Sequence, residues 1–207
     1  TSGLKDAPKR ASERNRTGAS LASPSTRLAT GTFTYQAFYR TAVWTGDLSA
    51  YIIDPDTGAI SDHASWSASG HIPTTGRTIT TYNKDASGSK FVSFTDPSTL
   101  SSTQQTALGS DATSRQNIID YLRGDASLEV KNGGSYRNRT TVLGDIVDSQ
   151  PVYVGAPDSN LFYGKTFTGS SAYATFANGK TSRTPIIWVA ANDGMLHGFN
   201  ASTGAEV

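Results

Sequence analysis

Few side chains in this sequence have acid–base reach near neutral pH. They are His63, His71 and His197, and there is no cysteine. His63 and His71 stand eight apart in a polar stretch, without the spacing of a zinc-binding pair such as His-Glu-x-x-His, so a shared metal is not expected. His197 follows a glycine turn inside an apolar run, where a hydrogen-bonded packing role is a better expectation than catalysis. The absence of cysteine removes thiol nucleophiles and disulfide frameworks and leaves the compartment open. Gly179-Lys180-Thr181 resembles the end of a phosphate loop. However, Ala174 stands where that loop needs its first glycine, and no helical pattern follows. Asp54-Pro55-Asp56-Thr57-Gly58, with Asp62 beyond, resembles part of a calcium loop. Its glycine comes one position early and Ser65 occupies the place of the bidentate glutamate, so a strand-connecting turn is expected instead. No Gly-x-Ser-x-Gly elbow occurs. With no nucleophile set beside a base, an enzyme is not expected.

One motif remains. Arg123-Gly124-Asp125 matches the integrin-recognition tripeptide and is the candidate partner-binding site. It also has a local reading, in which the arginine ends a helix, where its charge favours the C-terminal dipole, and the glycine stops it.

The elements that would position these residues are plainest in the last quarter. Ile186, Ile187, Trp188 and Val189 form an apolar, β-branched run of buried-strand character. Asn192-Asp193-Gly194 supplies a tight turn, Met195, Leu196 and Phe199 resume the apolar pattern, and Ala201-Ser202-Thr203-Gly204 closes it. Strand, glycine turn, strand and polar glycine turn together read as the inner part of a propeller blade. A related unit lies upstream, with a strand ending at Trp44, a turn at Thr45-Gly46-Asp47, a strand through Leu48, Tyr51 and Ile53, and the polar turn at Asp54–Gly58. Aligning Leu48-Ser49-Ala50-Tyr51 with Leu196-His197-Gly198-Phe199 points to repeated blades. Ser65 to Gly70 continues the first sheet, and Arg77–Tyr82 with Lys90–Phe94 reads as a hairpin with a long polar loop. Helical signals appear from Asp96-Pro97-Ser98 to Leu108, and again from Thr113 or Ser114 to Arg123. Ser127 to Arg139 reads as loop, Asn160–Tyr163 as a short strand or the base of a loop, and Gly164 to Arg183 as an aromatic-bearing excursion.

Composition agrees with a loop-rich β chain. Of the 207 residues 36% are hydrophobic, below the ~45–50% of ordinary globular domains, and they cluster in short runs. A formal charge of +1 gives no bulk attraction to nucleic acid. The basic residues Lys5, Lys9, Arg10, Arg14, Arg16 and Arg27 crowd an Ala/Ser/Thr-rich start, read as a disordered or extended arm. No apolar run approaches the ~20 residues of a membrane-spanning helix, and no signal-peptide pattern is present, so export would be directed by sequence upstream of Thr1. The end at Ala205-Glu206-Val207, just after a blade turn, reads as a truncation.

Leu143-Gly144-Asp145-Ile146, Ser149, Pro151-Val152 and Gly155, followed by Asn192-Asp193-Gly194-Met195-Leu196-His197, Phe199 and Gly204, resemble the opening of the β-propeller in the PilC/PilY family of type IV pilus biogenesis proteins and tip-associated adhesins. Asp148, Gln150 and Gly198 depart from the family's usual His, Ser and Ala. The resemblance is densest over about the last 65 residues and looser from Phe33 to Asp125. The expected fold is mainly β: an incomplete β-propeller of quinoprotein-dehydrogenase-like blades with a small helical insertion. The arm covers 1–30, a blade-like segment 31–97, the helical insertion and loop 98–139, and the truncated opening blade 140–207. The resemblance implies a non-enzymatic pilus assembly and tip adhesion protein. It would be extracellular or outer-membrane associated and engage minor pilins, other tip components or host receptors. Calcium would be bound through a loop outside this chain. A quinoprotein-type dehydrogenase fragment and a cell-envelope repeat scaffold are the alternative expectations.

Overall fold

Alternation of side chains decides the first sheet. In the computed structural model, which describes residues 17–22, 32–40 and 43–207, β2 (Phe33–Arg40) and β3 (Thr45–Ile52) pair antiparallel. Tyr35 lies opposite Ala50 and Ala37 opposite Leu48, and all four side chains are buried. Side chains two apart share one face of a strand, so this register puts one apolar layer inside. β1 (Thr17–Ala22) adds to β2, and β4 (Trp66–Ser67) adds Trp66 opposite Ala50. Strand β1 lies within the stretch read as an arm; the rest of residues 1–30, with its basic residues, lies outside the described residues.

The turn expected at Thr45-Gly46-Asp47 is displaced. These residues open β3, and the chain reverses before them, where Trp44 takes a φ of 50°. Gly46 is needed for contact, since a Cβ there would collide with the Gly144 carbonyl oxygen and the Ile146 amide. A glycine inside a strand thus marks a close backbone approach, which spacing alone reads as a turn.

The second sheet is β7 (Val152–Val154), β8 (Ile186–Ala190) and β9 (Leu196–Asn200), in that order and antiparallel. Tyr153, Ile187 and Phe199 line up on the inner face, while Val152, Trp188 and Gly198 line up on the outer one. The alignment of Leu48-Ser49-Ala50-Tyr51 with Leu196-His197-Gly198-Phe199 does not hold in register. Leu48 is fully buried whereas its aligned partner Leu196 is 66% exposed, so the alignment is one residue out and swaps the faces. The described residues up to 71 together with 144–207 form one compact unit containing both sheets. There the Tyr35 hydroxyl and the Trp66 indole N–H both donate to the Ala201 carbonyl, each at 3.2 Å. The closing turn after β9 is therefore held by the first sheet. Burial keeps the Tyr35 phenol protonated far above its ordinary range.

The turn between β8 and β9 forms as read. Asp193 Oδ1 accepts the Met195 amide at 3.0 Å, and Gly194 has a φ of +87°. A β-branched residue is strained there, so Gly194→Val is expected to lower stability by about 1–3 kcal/mol. Urea denaturation of the intact chain measures this, and an unchanged midpoint would contradict it.

Residues 72–143 form the second compact unit. It holds the expected hairpin as β5 (Thr80–Tyr82) and β6 (Phe91–Ser93), with α1 (Ser102–Leu108) and α2 (Ala112–Arg123). Asp96 caps a single 3-10 turn, Pro97–Thr99. Ser101 and Gln104 then form a capping box that starts α1, and Asp111 caps α2 through the Ser114 amide. A third helix, α3 (Ser170–Asn178), belongs to the first unit and was not expected. It begins at Gly169 with no side-chain cap, so the usual start signal is missing. The apolar spacing of Tyr173, Phe176 and Ala177 was the one available clue. The chain is mainly sheet with few helices, its sheets are open, and no helix among the described residues is long and apolar enough to cross a membrane.

Candidate functional site

The densest polar constellation joins the two halves of the terminal signature. The Gly144 amide donates to Asp193 Oδ2 at 2.9 Å. The Asn192 amide donates to the Asp145 carbonyl, and Asn192 Nδ2 donates to Asp145 Oδ2, both at 2.9 Å. Ser149 Oγ accepts the Ala190 amide at 2.9 Å. The Asn-Asp pair that suits a tight turn in sequence also ties the turn to residues nearly fifty positions earlier.

His197 is the centre of this arrangement. Its side chain is buried between two carboxylates, with Nδ1 2.9 Å from Glu206 Oε1 and Nε2 3.0 Å from Asp193 Oδ2. The ring stacks parallel on Phe199, 5.8 Å between centroids. Burial alone would lower the pKa of the imidazole, but the hydrogen bonds and charges of Asp193 and Glu206 outweigh it and raise the value to about 9. Asp193 is held below its ordinary value: burial opposes this, and His197 with the Gly144 and Met195 amides prevails. At neutral pH the residue is thus an imidazolium donating from both nitrogens. It has no lone pair to act as a base. The packing role expected for His197 is the one its geometry fits.

The other candidate residues lie apart. His63 and His71 are exposed, and His71 Nδ1 sits 2.8 Å from the Ser67 carbonyl. Asp54 closes its own turn, accepting the Asp56 and Thr57 amides at 2.9 Å, and those bonds hold its carboxyl below the ordinary range. Gly179-Lys180-Thr181 follows the end of α3 instead of opening a helix. Carbonyls, not amides, point outward there, the wrong polarity for a phosphate.

Arg123-Gly124-Asp125 ends α2. Arg123 donates to the Phe94 carbonyl at 3.1 Å and to the Arg77 carbonyl at 2.7 Å, while Arg77 donates back to the Arg123 carbonyl at 3.2 Å. The arginine side chain is therefore tied down. Gly124 is the cap at φ +123°, and a Cβ on it would press on the Thr74 backbone. Asp125 is exposed, with Oδ1 accepting the Ser127 amide at 2.7 Å. Arg123 and Asp125 border an open cavity of about 240 Å³, together with Arg77 and Asp120.

Sequence reasoning missed the ionic centre of the second unit. Glu129 is buried and accepts Arg139 Nε at 2.8 Å, the Arg139 amide at 3.1 Å and Lys131 Nζ at 2.9 Å. Burial pushes its pKa up, but these partners prevail and hold it at about 2. The guanidinium of Arg139 lies over the Tyr121 ring, 3.7 Å from its centroid, and donates to the carbonyls of Tyr121 and Asp125 at 2.7 and 2.9 Å. It thereby adds a charged donor to the Tyr121 carbonyl, which also takes the Gly124 amide at 3.0 Å, and ties the end of α2 to the residue that follows its cap. Nothing in the local pattern of 127–139, a polar and glycine-containing stretch, announces a charge folded inward.

The family comparison falls on the same signature. Residues 143–206 match the family model described as the PilY1 beta-propeller domain. The chain is 42% identical over 192 residues to the type IV pilus biogenesis factor PilY1 homolog of Xylella fastidiosa, covering 92% of this chain and 14% of that protein. It is 34% identical over 181 residues to type IV pilus biogenesis factor PilY1 of Pseudomonas aeruginosa strain PAK, covering 81% and 15%. The chain thus spans about one seventh of the length of these relatives. No solved structure gives a significant match. The residues that knit Gly144–Ser149 to Ala190–Glu206 are those over which the match runs, and the chain belongs to the PilY1 family of type IV pilus biogenesis factors.

Proposed function

We propose that this chain is a non-enzymatic part of a type IV pilus assembly and tip adhesion protein, working by binding through loops and propeller faces. The observation that carries the reading is the use made of the family signature. Asp193, His197 and Glu206 have acid–base potential, yet their hydrogen bonds go to one another and to backbone amides. They build a scaffold. The names of the relatives support the pilus-related role; adhesion at the tip is our extension of it. The partners in this reading are minor pilins or other tip components, with host surface receptors beyond them. The protein would sit outside the cell or at the outer membrane. Calcium would be held by a loop outside these 207 residues.

The tripeptide takes a limited part. With Arg123 bound to two carbonyls and Gly124 buried, only Asp125 is presented to a partner, and the motif chiefly ends the helix. The test is genetic. Deleting the gene in its piliated host should remove surface pili, and the full-length gene carrying Asp125→Glu should restore both pili and adhesion to cells. Normal piliation in the deletion strain would overturn the pilus reading. Restored pili without adhesion would overturn only the limited role given to the tripeptide.

A further inference from the structure

β7 and β8 are antiparallel neighbours, a pair that two residues can join. Here the connection runs from Gly155 to Pro185, about thirty residues including α3. Connections of that length inside a sheet are uncommon and usually carry function. This one has a small hydrophobic centre of its own. The Phe162 ring meets Phe167 and Tyr173 edge to face at 5.0 and 4.9 Å, Tyr173 lies 6.1 Å from Phe176, and Ala177 of the same helix is fully buried. The cluster is nevertheless far from covered. Tyr163 is 86% exposed, Phe167 51% and Phe176 47%. Water-facing aromatic rings gathered in one short segment are the composition of interface anchors, not of an ordinary loop.

Charge narrows the occupant. Lys165, Lys180 and Arg183 are exposed in this connection, and Asp158 is its one acidic residue. Asp158 spends an oxygen on the Asn160 amide at 2.9 Å. Arg183 places its guanidinium 5.9 Å from the Phe176 ring centroid, so a cation borders the exposed aromatic surface. Cationic and aromatic surface together complement an apolar side chain flanked by carboxylates. Phe167 and Tyr173 are held by edge-to-face contacts with Phe162, a fixed arrangement that suits a protein surface.

We propose that the β7–β8 connection is a docking surface for a partner protein that presents an aromatic or aliphatic side chain beside Asp or Glu. Panning a phage-displayed random peptide library on the intact chain tests it. The peptides recovered should pair acidic with large apolar residues. Their affinity should fall about tenfold or more both in Phe167→Ser/Phe176→Ser and in Lys180→Glu/Arg183→Glu, and it should weaken with salt. Thermal melting checks that each variant is folded. The charge-reversal pair alters only exposed residues and decides the matter if the aromatic variant unfolds. The proposal is overturned if no acidic-apolar consensus emerges or if the recovered peptides bind the variants as tightly as the parent. It is equally overturned if no peptide is enriched while phosphatidylglycerol vesicles bind the parent and not the variants, since the surface would then be one for membranes.

Discussion

Replacing Glu129 by Ala is expected to destabilise the 72–143 unit by about 3 kcal/mol, the largest single-residue effect anticipated here. Removing one partner of a buried ion pair leaves the other charge without compensation, at a cost of roughly 3–5 kcal/mol. The low end applies because the half-exposed Lys131 ammonium closes the site and brings water near it. What is stranded is the Arg139 guanidinium, whose side chain is 8% exposed and which binds the Tyr121 carbonyl in the last turn of α2 and the Asp125 carbonyl just beyond it. Helix 112–123 should therefore loosen first, seen as faster amide exchange at its C-terminal half. Glu129→Gln keeps an acceptor for the guanidinium and should cost less. Acid should mimic the loss. The carboxyl has its pKa lowered to about 2, so its contribution is complete above the ordinary value near 4.5 and fades as pH falls from there through 2. Equal exchange rates in Glu129→Ala and the parent would show that Arg139 does not need its counter-ion.

Alkali is expected to act on the other unit through His197. Its pKa is raised from 6.5 to about 9, so the imidazolium contributes fully below 6.5 and its contribution is lost as pH climbs through 9. At about 1.36 kcal/mol per pKa unit the loss is on the order of 3 kcal/mol. The carboxylate side has the opposite sign. Asp193 is held below its ordinary value and contributes above it, weakening only in acid. Between these limits the lock formed by Asp193, His197 and Glu206 is intact. Denaturant midpoints measured from pH 6 to pH 10 should fall for the parent and stay level in His197→Gln, which starts lower. A flat parent profile would mean that the imidazole is neutral and the two carboxylates find other partners.

These two centres differ in how legible they were. The blade unit could be read because its signals are local: a β-branched run, an Asn-Asp-Gly turn with positive φ at Gly194, and a second glycine turn. The helices of the second unit are legible from Asp96-Pro97-Ser98 and from the stop at Gly124, although the side chains that cap them are Ser101 and Asp111. The Asp125 end of α2 was also visible, down to Gly124 as its stop. Helix α3 escaped for want of a capping side chain at Gly169.

Taken alone, the sequence determined that the chain is mainly β, that it has no cysteine, and which family its last quarter resembles. Each of these is a property of residue types and short spacings. Tertiary structure decided what those residues do. It made Gly46 a contact point in place of a turn, because the 144–146 backbone lies against it. It shifted the proposed repeat by one residue, because burial chooses a face and alternation does not. It made His197 a cation, because Glu206 and Asp193 reach it from opposite sides. And it turned Arg139 inward onto Glu129, ten positions away. Electrostatic roles depend on which charges the fold brings within about 3 Å and shields from water, and neither quantity is written in sequence order.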